Sequence, residues 1–475
     1  MQLATVGPSR IFKLNPICDL YTIALGRLPL VSLFKLHTIR GKHQGPHCCV
    51  VKNSYIMASA LGIRITVLQP QKIDQHHLHY HHKSVIITIT FPFPLSTRPK
   101  MASLPPTMKA LVLPTPGASL EVRTIPTPTA VHGSVVIKVL ASHLSDKHEH
   151  NLAGKIFSFP PNLISGGQAI GRVAETGPDT TSLSPGQLVL LHSFIRGRDD
   201  PNGVQVLWGL FDGFAPKTKK WYKDNYSAAA WAEYVRAPLE VVEPLDEKKL
   251  HSPVQEGGLG YSMEALLQLT TQLVPMGGFR GINLQPGERI IIAPSTGEFG
   301  GASVQVAVAM GAQVIAVGRN IETLKDLQAT FPPGRVQVVA VTGDEKADME
   351  ALKQWGPIDA YLDIVPSIAS GKNHIRACFM ALRQYARVSL MGFISDDIAV
   401  PYATAVANNL TIRGQWMYER DDVKSAIKMA ESGLLRLDKE NGTEVVGRFK
   451  LEEWREAFEF VKENGGFGKI VAFTP

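Results

Sequence analysis

The chain has 475 residues, enough for two or three domains with cores of their own, and at 44% hydrophobic and 19% charged it has the composition of an ordinary globular protein. No run of about 18 uncharged apolar residues occurs, which argues against a membrane-spanning helix. The net charge of +7 gives no argument for a nucleic-acid partner: residues 1–107 hold 12 Lys/Arg against Asp19 and Asp74, a local +10, so the remainder carries −3.

Residues 1–107 lack sustained helical or strand periodicity. They contain HHLHYHH (His76 to His82), the adjacent Cys48-Cys49 and the proline-bearing FPFPLSTRPK, and Met101 and Met108 offer further initiators. The preferred reading is a disordered basic leader or a mis-extended N-terminus. A mitochondrial presequence fits the acid-poor composition but lacks an amphipathic Arg/Ser helix, and a histidine metal tract lacks ordered Cys or acid partners. Three of the four cysteines, Cys18, Cys48 and Cys49, fall in this leader. Cys378 is left alone in the body, where it can form no internal disulfide and reads as a small buried apolar residue. The expected compartment is reducing and cytoplasmic, or mitochondrial if the leader is a presequence.

At Met108 the pattern changes. MKALVLPTPGASLEVRTIP reads as two short strands around a Pro/Gly turn, and SVVIKVLASHLS (Ser134 to Ser145) as a third, rich in β-branched residues. GGQAIGRVAETG (Gly166 to Gly177) and PGQLVLLHSF (Pro185 to Phe194) extend a β-rich domain with glycine turns. From about Gly257 helical spacing takes over in SMEALLQLTTQL (Ser262 to Leu273). The strands RIIIAP, VIAVGR, VQVVAV, IDAYLDIV and RVSLMGFI then alternate with helical segments, the pattern of a parallel sheet covered on both faces. Two amphipathic helices, DDVKSAIKMAESGLL and LEEWREAFEFVKE, precede a last strand, KIVAFTP.

From Met108 to Pro475 this order resembles the medium-chain dehydrogenase/reductase superfamily, in the style of its zinc-independent, quinone-oxidoreductase-like members. The opening MKALVL, the stretch GGQAIGRVAETGPDTTSLSPGQLV, the turn STGEFGGASVQVAVAMGA and NNLTIRG (Asn408 to Gly414) carry the resemblance. It implies an α/β protein: a GroES-like β-rich substrate domain over 108–258, a Rossmann doubly wound parallel-sheet cofactor domain over 259–419, and residues 420–475 completing the substrate domain. It also implies a homodimer and a small-molecule substrate, with neither nucleic acid nor membrane as partner.

The resemblance places the family's zinc ligands at His143, Gly167 and Leu259. Glycine and leucine carry no donor atom, and a catalytic zinc needs about three protein ligands. The segment Leu191 to Ser227, where a structural zinc lobe would lie, has no cysteine. A rebuilt site from the crowded His143, Asp146, His148 and His150 competes with a solvated turn, and the turn is preferred, so no metal is expected. Proton-donor candidates implied by the resemblance are Ser145, His148 and Tyr261, while Gln168 replaces the family's Glu and reads as structural.

Between strand Ile290–Ala293 and the following helix, STGEFG supplies Gly297 and Gly300, with Gly301 beyond. Such a turn lets backbone approach a pyrophosphate at a helix N-terminus. Ser295 stands where relatives often have glycine or alanine; its hydroxyl, or that of Thr296, offers a phosphate contact, and Phe299 lies in the same turn. The second strand ends in Gly318-Arg319-Asn320. An acid there would hold a ribose 2′-hydroxyl and repel a 2′-phosphate, whereas glycine leaves room and Arg319 can pair with phosphate. The expected cofactor is therefore NADPH, with Lys325 a further cation along the helix. Asp363 and Met391-Gly392-Phe393 match segments that flank the cofactor in relatives, with backbone at Gly392 reaching the carboxamide.

Together these point to a zinc-independent NADPH oxidoreductase delivering hydride to a quinone, enone or similar activated carbonyl or alkene. Two alternatives remain: an alcohol/aldehyde dehydrogenase of the same superfamily, and a non-catalytic NADPH-binding sensor.

Overall fold

β-branched runs near the N-terminus pair in spite of the irregular sequence around them. A computed structural model describes residues 104–366, 373–394 and 397–475, preceded by four short strands: Leu3–Val6, Ser9–Leu14, Arg64–Leu68 and Val85–Thr90. These form an antiparallel sheet in the order first, second, fourth, third. RITVL and VIITIT are rich in the β-branched residues that suit strands. The HHLHYHH tract and Cys18, Cys48 and Cys49 lie outside the described residues.

Four sheets lie in the unit from Leu104 to Pro475, and the two largest organise it. The larger β-rich sheet centres on Ser134–Leu144, which pairs with Ala169–Thr176 on one side and with the last strand, Lys469–Phe473, on the other. Its residues are buried almost without interruption, as expected of a strand covered on both faces. Phe473 stands opposite Ser142 and Ala472 opposite His143, so the C-terminal strand braces the end of the central one.

The second sheet is parallel and six-stranded: β1 (Arg289–Ala293), β2 (Gln313–Gly318), β3 (Val336–Ala340), β4 (Ala360–Asp363), β5 (Arg387–Leu390) and β6 (Thr411–Gly414). The order is β3-β2-β1-β4-β5-β6, all parallel. Strand order reverses between β1 and β4, and in such sheets the crevice beyond the carboxyl ends at that point is where ligands bind. Two helices cover it closely: α1 (Gln268–Gly281) and α2 (Glu298–Ala309), which leaves β1. A buried polar ladder locks them. Gln268 and Gln272 donate to Gln305 Oε1 at 2.8 and 2.9 Å, and Gln305 Nε2 donates to the Asn441 carbonyl at 2.5 Å. The outermost strand, β6, exposes all four of its residues.

Candidate active site

The central β-rich strand delivers His143 and Ser145 to the N-terminus of α2. His143 is buried, and its Nδ1 lies 3.1 Å from Gln168 Oε1, an acceptor that sets Nδ1 as the protonated nitrogen. Its Nε2 faces Glu298 Oε1 at 3.8 Å, too long for a hydrogen bond. Ser145 Oγ donates to Glu298 Oε2 at 2.7 Å and lies 3.2 Å from Asp146 Oδ1. These residues line one tight crevice with Gly465 and Lys469. Glu298 opens α2, so an acid stands where a helix N-terminus favours negative charge. The sequence reading passed over it, although an acid inside a phosphate-binding turn is a charge signal in itself.

His148 is drawn to the same place but differently used. The Ser145 amide donates to its Nδ1 at 2.9 Å, and its ring packs 5.1 Å from that of Trp231. Burial, reinforced by His143, lowers its pKa to about 4. It is a neutral imidazole closing the turn, with Nε2 as its one remaining N–H. Tyr261 is not part of this group. Its hydroxyl meets the Leu437 amide among Arg436, Asp438 and Glu440, because its backbone is pinned in the hinge by Leu250 and His251.

The turn after β1 divides its residues between structure and open ground. Ser295 is fully buried: its hydroxyl donates to the Ile292 carbonyl at 2.7 Å and accepts from the Val317 amide at 3.1 Å. It therefore splices β1 to β2, its hydroxyl giving its proton to one strand and accepting from the other. Gly300 is required by contact, since a Cβ there would fall 2.1 Å from the Pro294 carbonyl oxygen. At Gly301 a Cβ would fall 2.0 Å from the Phe467 ring, so this glycine lets the helix pack against the C-terminal segment. Gly297, by contrast, faces open space, with nothing within 4 Å of a Cβ. Thr296 and Phe299 are half-buried beside it.

At the end of β2, Gly318 lies against the Thr296 methyl and Leu324. Arg319 is exposed and has no carboxylate partner among the described residues. Asn320 was expected at the cofactor, but its Oδ1 accepts the amides of Glu322 and Thr323 at 2.9 and 3.2 Å, the N-cap of the next helix. Lys325 pairs with Glu322. At the end of β4, Asp363 is buried, takes the Tyr361 hydroxyl at 3.1 Å and the Gly392 amide, and has its pKa raised by burial to about 6.

Phe393 turns away from that carboxylate into a closed circuit of aromatic contacts. Phe157–Phe393, Phe393–Trp416, Trp416–Phe214, Phe214–Phe211 and Phe211–Phe157 have ring centroids 5.7, 5.8, 6.3, 4.8 and 5.4 Å apart. Phe214 is 73% exposed, so the circuit opens to solvent on one side. It joins the β-rich part to the loops after β5 and β6, through residues too far apart in sequence to be read as a set.

Two family models match this arrangement: "Alcohol dehydrogenase GroES-like domain" over residues 131–247 and "Zinc-binding dehydrogenase" over residues 299–432. The chain is an alcohol-dehydrogenase-like member of the medium-chain dehydrogenase/reductase superfamily. Full-length relatives agree with the assignment. An alcohol dehydrogenase of Geobacillus stearothermophilus is 23% identical over 378 residues, 77% of this chain and 98% of the relative. An acryloyl-coenzyme A reductase of Metallosphaera sedula is also 23% identical, covering 77% and 100%. The alcohol dehydrogenase TADH from Thermus sp. shares the fold at a TM-score of 0.62 and 18% identity, covering 77% of this chain and 99% of that one. This member of the superfamily is thus an oxidoreductase, and its fold is the GroES-like plus parallel-sheet pair. Among the described residues no helix is long and apolar enough to cross a membrane.

Family membership raises the question of zinc, and the donor set answers it. Of the three family slots only His143 carries a donor. At Gly167 a Cβ would fall 1.9 Å from the Trp208 carbonyl oxygen, so no side chain fits there. Leu259 is hydrocarbon. Glu298 adds one carboxylate, and among the described residues no group of three or more His, Cys, Asp or Glu is placed to hold a metal. The residues present do not fit a three-ligand zinc site. They do fit a nicotinamide dinucleotide: an open glycine at a helix N-terminus, a small residue at the end of β2 and an uncommitted cation beside it. Cys378 is buried against Tyr361 and Asp363, with its thiol pKa pushed up by burial.

Proposed function

We propose that this dehydrogenase/reductase is a zinc-independent NADPH oxidoreductase that transfers hydride to a quinone, enone or similar activated carbonyl or alkene. The observation that carries it is the Ser145–Glu298 hydrogen bond, at 2.7 Å, in the crevice that His143 also lines. Bound cofactor supplies the hydride. Ser145 then donates its proton to the oxygen on which charge develops, and a proton taken up from solvent by the Glu298 carboxylate is passed on to restore the Ser145 hydroxyl. Asp146, 3.2 Å from Ser145 Oγ and partly exposed, continues the path to solvent. His143 is a positioning residue, holding the crevice wall through Gln168. The aromatic circuit around Phe393 and Trp416 supports a flat, apolar substrate.

NADPH is preferred on the character of the β2 end, where Gly318 carries no side chain and Arg319 has no carboxylate partner among the described residues. The exposed β6 supports pairing of two copies edge to edge, and sedimentation at micromolar concentration tests for that dimer.

Alcohol oxidation is the second reading, favoured by the same bond: a carboxylate that already accepts from Ser145 is set to act as base. Following NADPH absorbance with quinones and enals, and NADP+ with alcohols, each with and without a chelator, separates the cases. Chelator-insensitive reduction supports the proposal. Chelator-sensitive alcohol oxidation sinks it, and tight binding without turnover in either direction would make the protein a sensor.

A further inference from the structure

A second cavity, of about 130 Å3, shares no lining residue with the Ser145 crevice. Its floor is His192, 2% exposed, whose ring lies edge-on to Tyr418 at 5.4 Å between centroids. Tyr418 Oη accepts from the Phe194 amide at 3.4 Å and lies 3.5 Å from His192 Nδ1. The other ring nitrogen, Nε2, is buried and has no partner among the described residues. Burial, with Arg420 nearby, lowers the pKa of His192 to about 3, which keeps the ring neutral. Across the cavity, Glu240 gives Oε1 to Arg198 at 2.8 Å, while its buried Oε2 is likewise unpartnered.

Buried polar atoms are rarely left unpaired, and two in one cavity call for a partner. The carboxylate needs a donor, and the imidazole nitrogen needs an acceptor or a donor according to its tautomer. A hydroxyl is both. The rim cations are already matched, Arg196 with Glu419 and Arg420 with Glu243, so they offer little to an anion. The Phe194 and Tyr418 rings supply apolar wall. A comparable volume, about 150 Å3, admits a six-carbon ring.

We propose that this cavity binds a small neutral hydroxylic compound, a short-chain alcohol or polyol, through His192 Nε2 and Glu240 Oε2. Titration of the full-length protein with glycerol by saturation-transfer NMR tests it, with propionate and propylamine as charged counterparts of similar size. Saturation by glycerol is expected, weakened about tenfold or more in His192→Leu or Glu240→Gln and unchanged in Ser145→Ala. Thermal unfolding identifies any variant that fails to fold, in which case the other decides. Absence of saturation would mean that the cavity holds water alone. That result, binding indifferent to both substitutions, or tighter binding of either charged counterpart would overturn the proposal.

Discussion

Ser145 Oγ and Glu298 Oε2, 153 residues apart in sequence, lie 2.7 Å apart across the meeting of the two sheet systems. A strand end and a helix start each present one polar side chain, and the proposed proton path stands on that contact.

Replacing Ser145 with Ala should lower kcat about a hundredfold, the common scale for a lost general acid or base, with NADPH affinity little changed. Glu298→Gln keeps an acceptor for Ser145 but cannot relay a proton, so its loss should be largest at low pH and shrink as pH rises and the unmodified carboxyl gives up its own proton. Steady-state kinetics over pH 5–9 check both. Equal loss in kcat and cofactor affinity would mean that the pair is structural.

Arg319→Ala should weaken NADPH about tenfold to a hundredfold and leave NADH unaffected, as expected for a charge-assisted contact to the 2′-phosphate. Fluorescence titration with both cofactors measures this. Equal affinity of the unmodified protein for NADH and NADPH would remove the basis for the assignment.

Much of this was legible in the chain, and the reasons for the failures are physical. Alternating short apolar strands and helical segments announced the parallel sheet, because both periodicities follow from backbone geometry. Side-chain commitments were not legible. The local backbone bonds of Ser295 and Asn320, a hydroxyl near a strand end and an amide before a helix, could not be read from residue type alone. Glu298 was overlooked because its partner, Ser145, comes from a distant strand. The aromatic circuit draws on Phe157, Phe211, Phe214, Phe393 and Trp416, and no local pattern links them.

Gly167→His restores the residue type that relatives use for zinc, yet it should yield no zinc enzyme. Its Cβ would enter the Trp208 carbonyl at 1.9 Å, a backbone contact that cannot rotate away. A loss of about 4 kcal/mol or more is expected, with most of the protein insoluble or unfolded. A folded variant with zinc-dependent turnover would refute both the steric argument and the claim that the metal site is closed.

Asp363 gives a pH signature opposite to that of most carboxylates. Its folded pKa is raised to about 6 from an ordinary 3.8, because burial penalises the charge more than Tyr361 and Gly392 relieve it. The native state thus holds the proton more tightly than the unfolded chain. Its favourable contribution is complete below about pH 3.8 and is lost as pH rises through about 6, with a ceiling of about 3 kcal/mol. Asp363→Asn removes this dependence. The stability of the variant relative to the parent should therefore climb between pH 4 and 7, read from urea midpoints at each pH. Subtracting parent from variant cancels the opposing acid sensitivity of His148 and His192, which are buried neutral and must charge below their ordinary range. A difference flat with pH would show that Asp363 is ionised at no cost in the fold, and that its hydrogen bonds outweigh its burial.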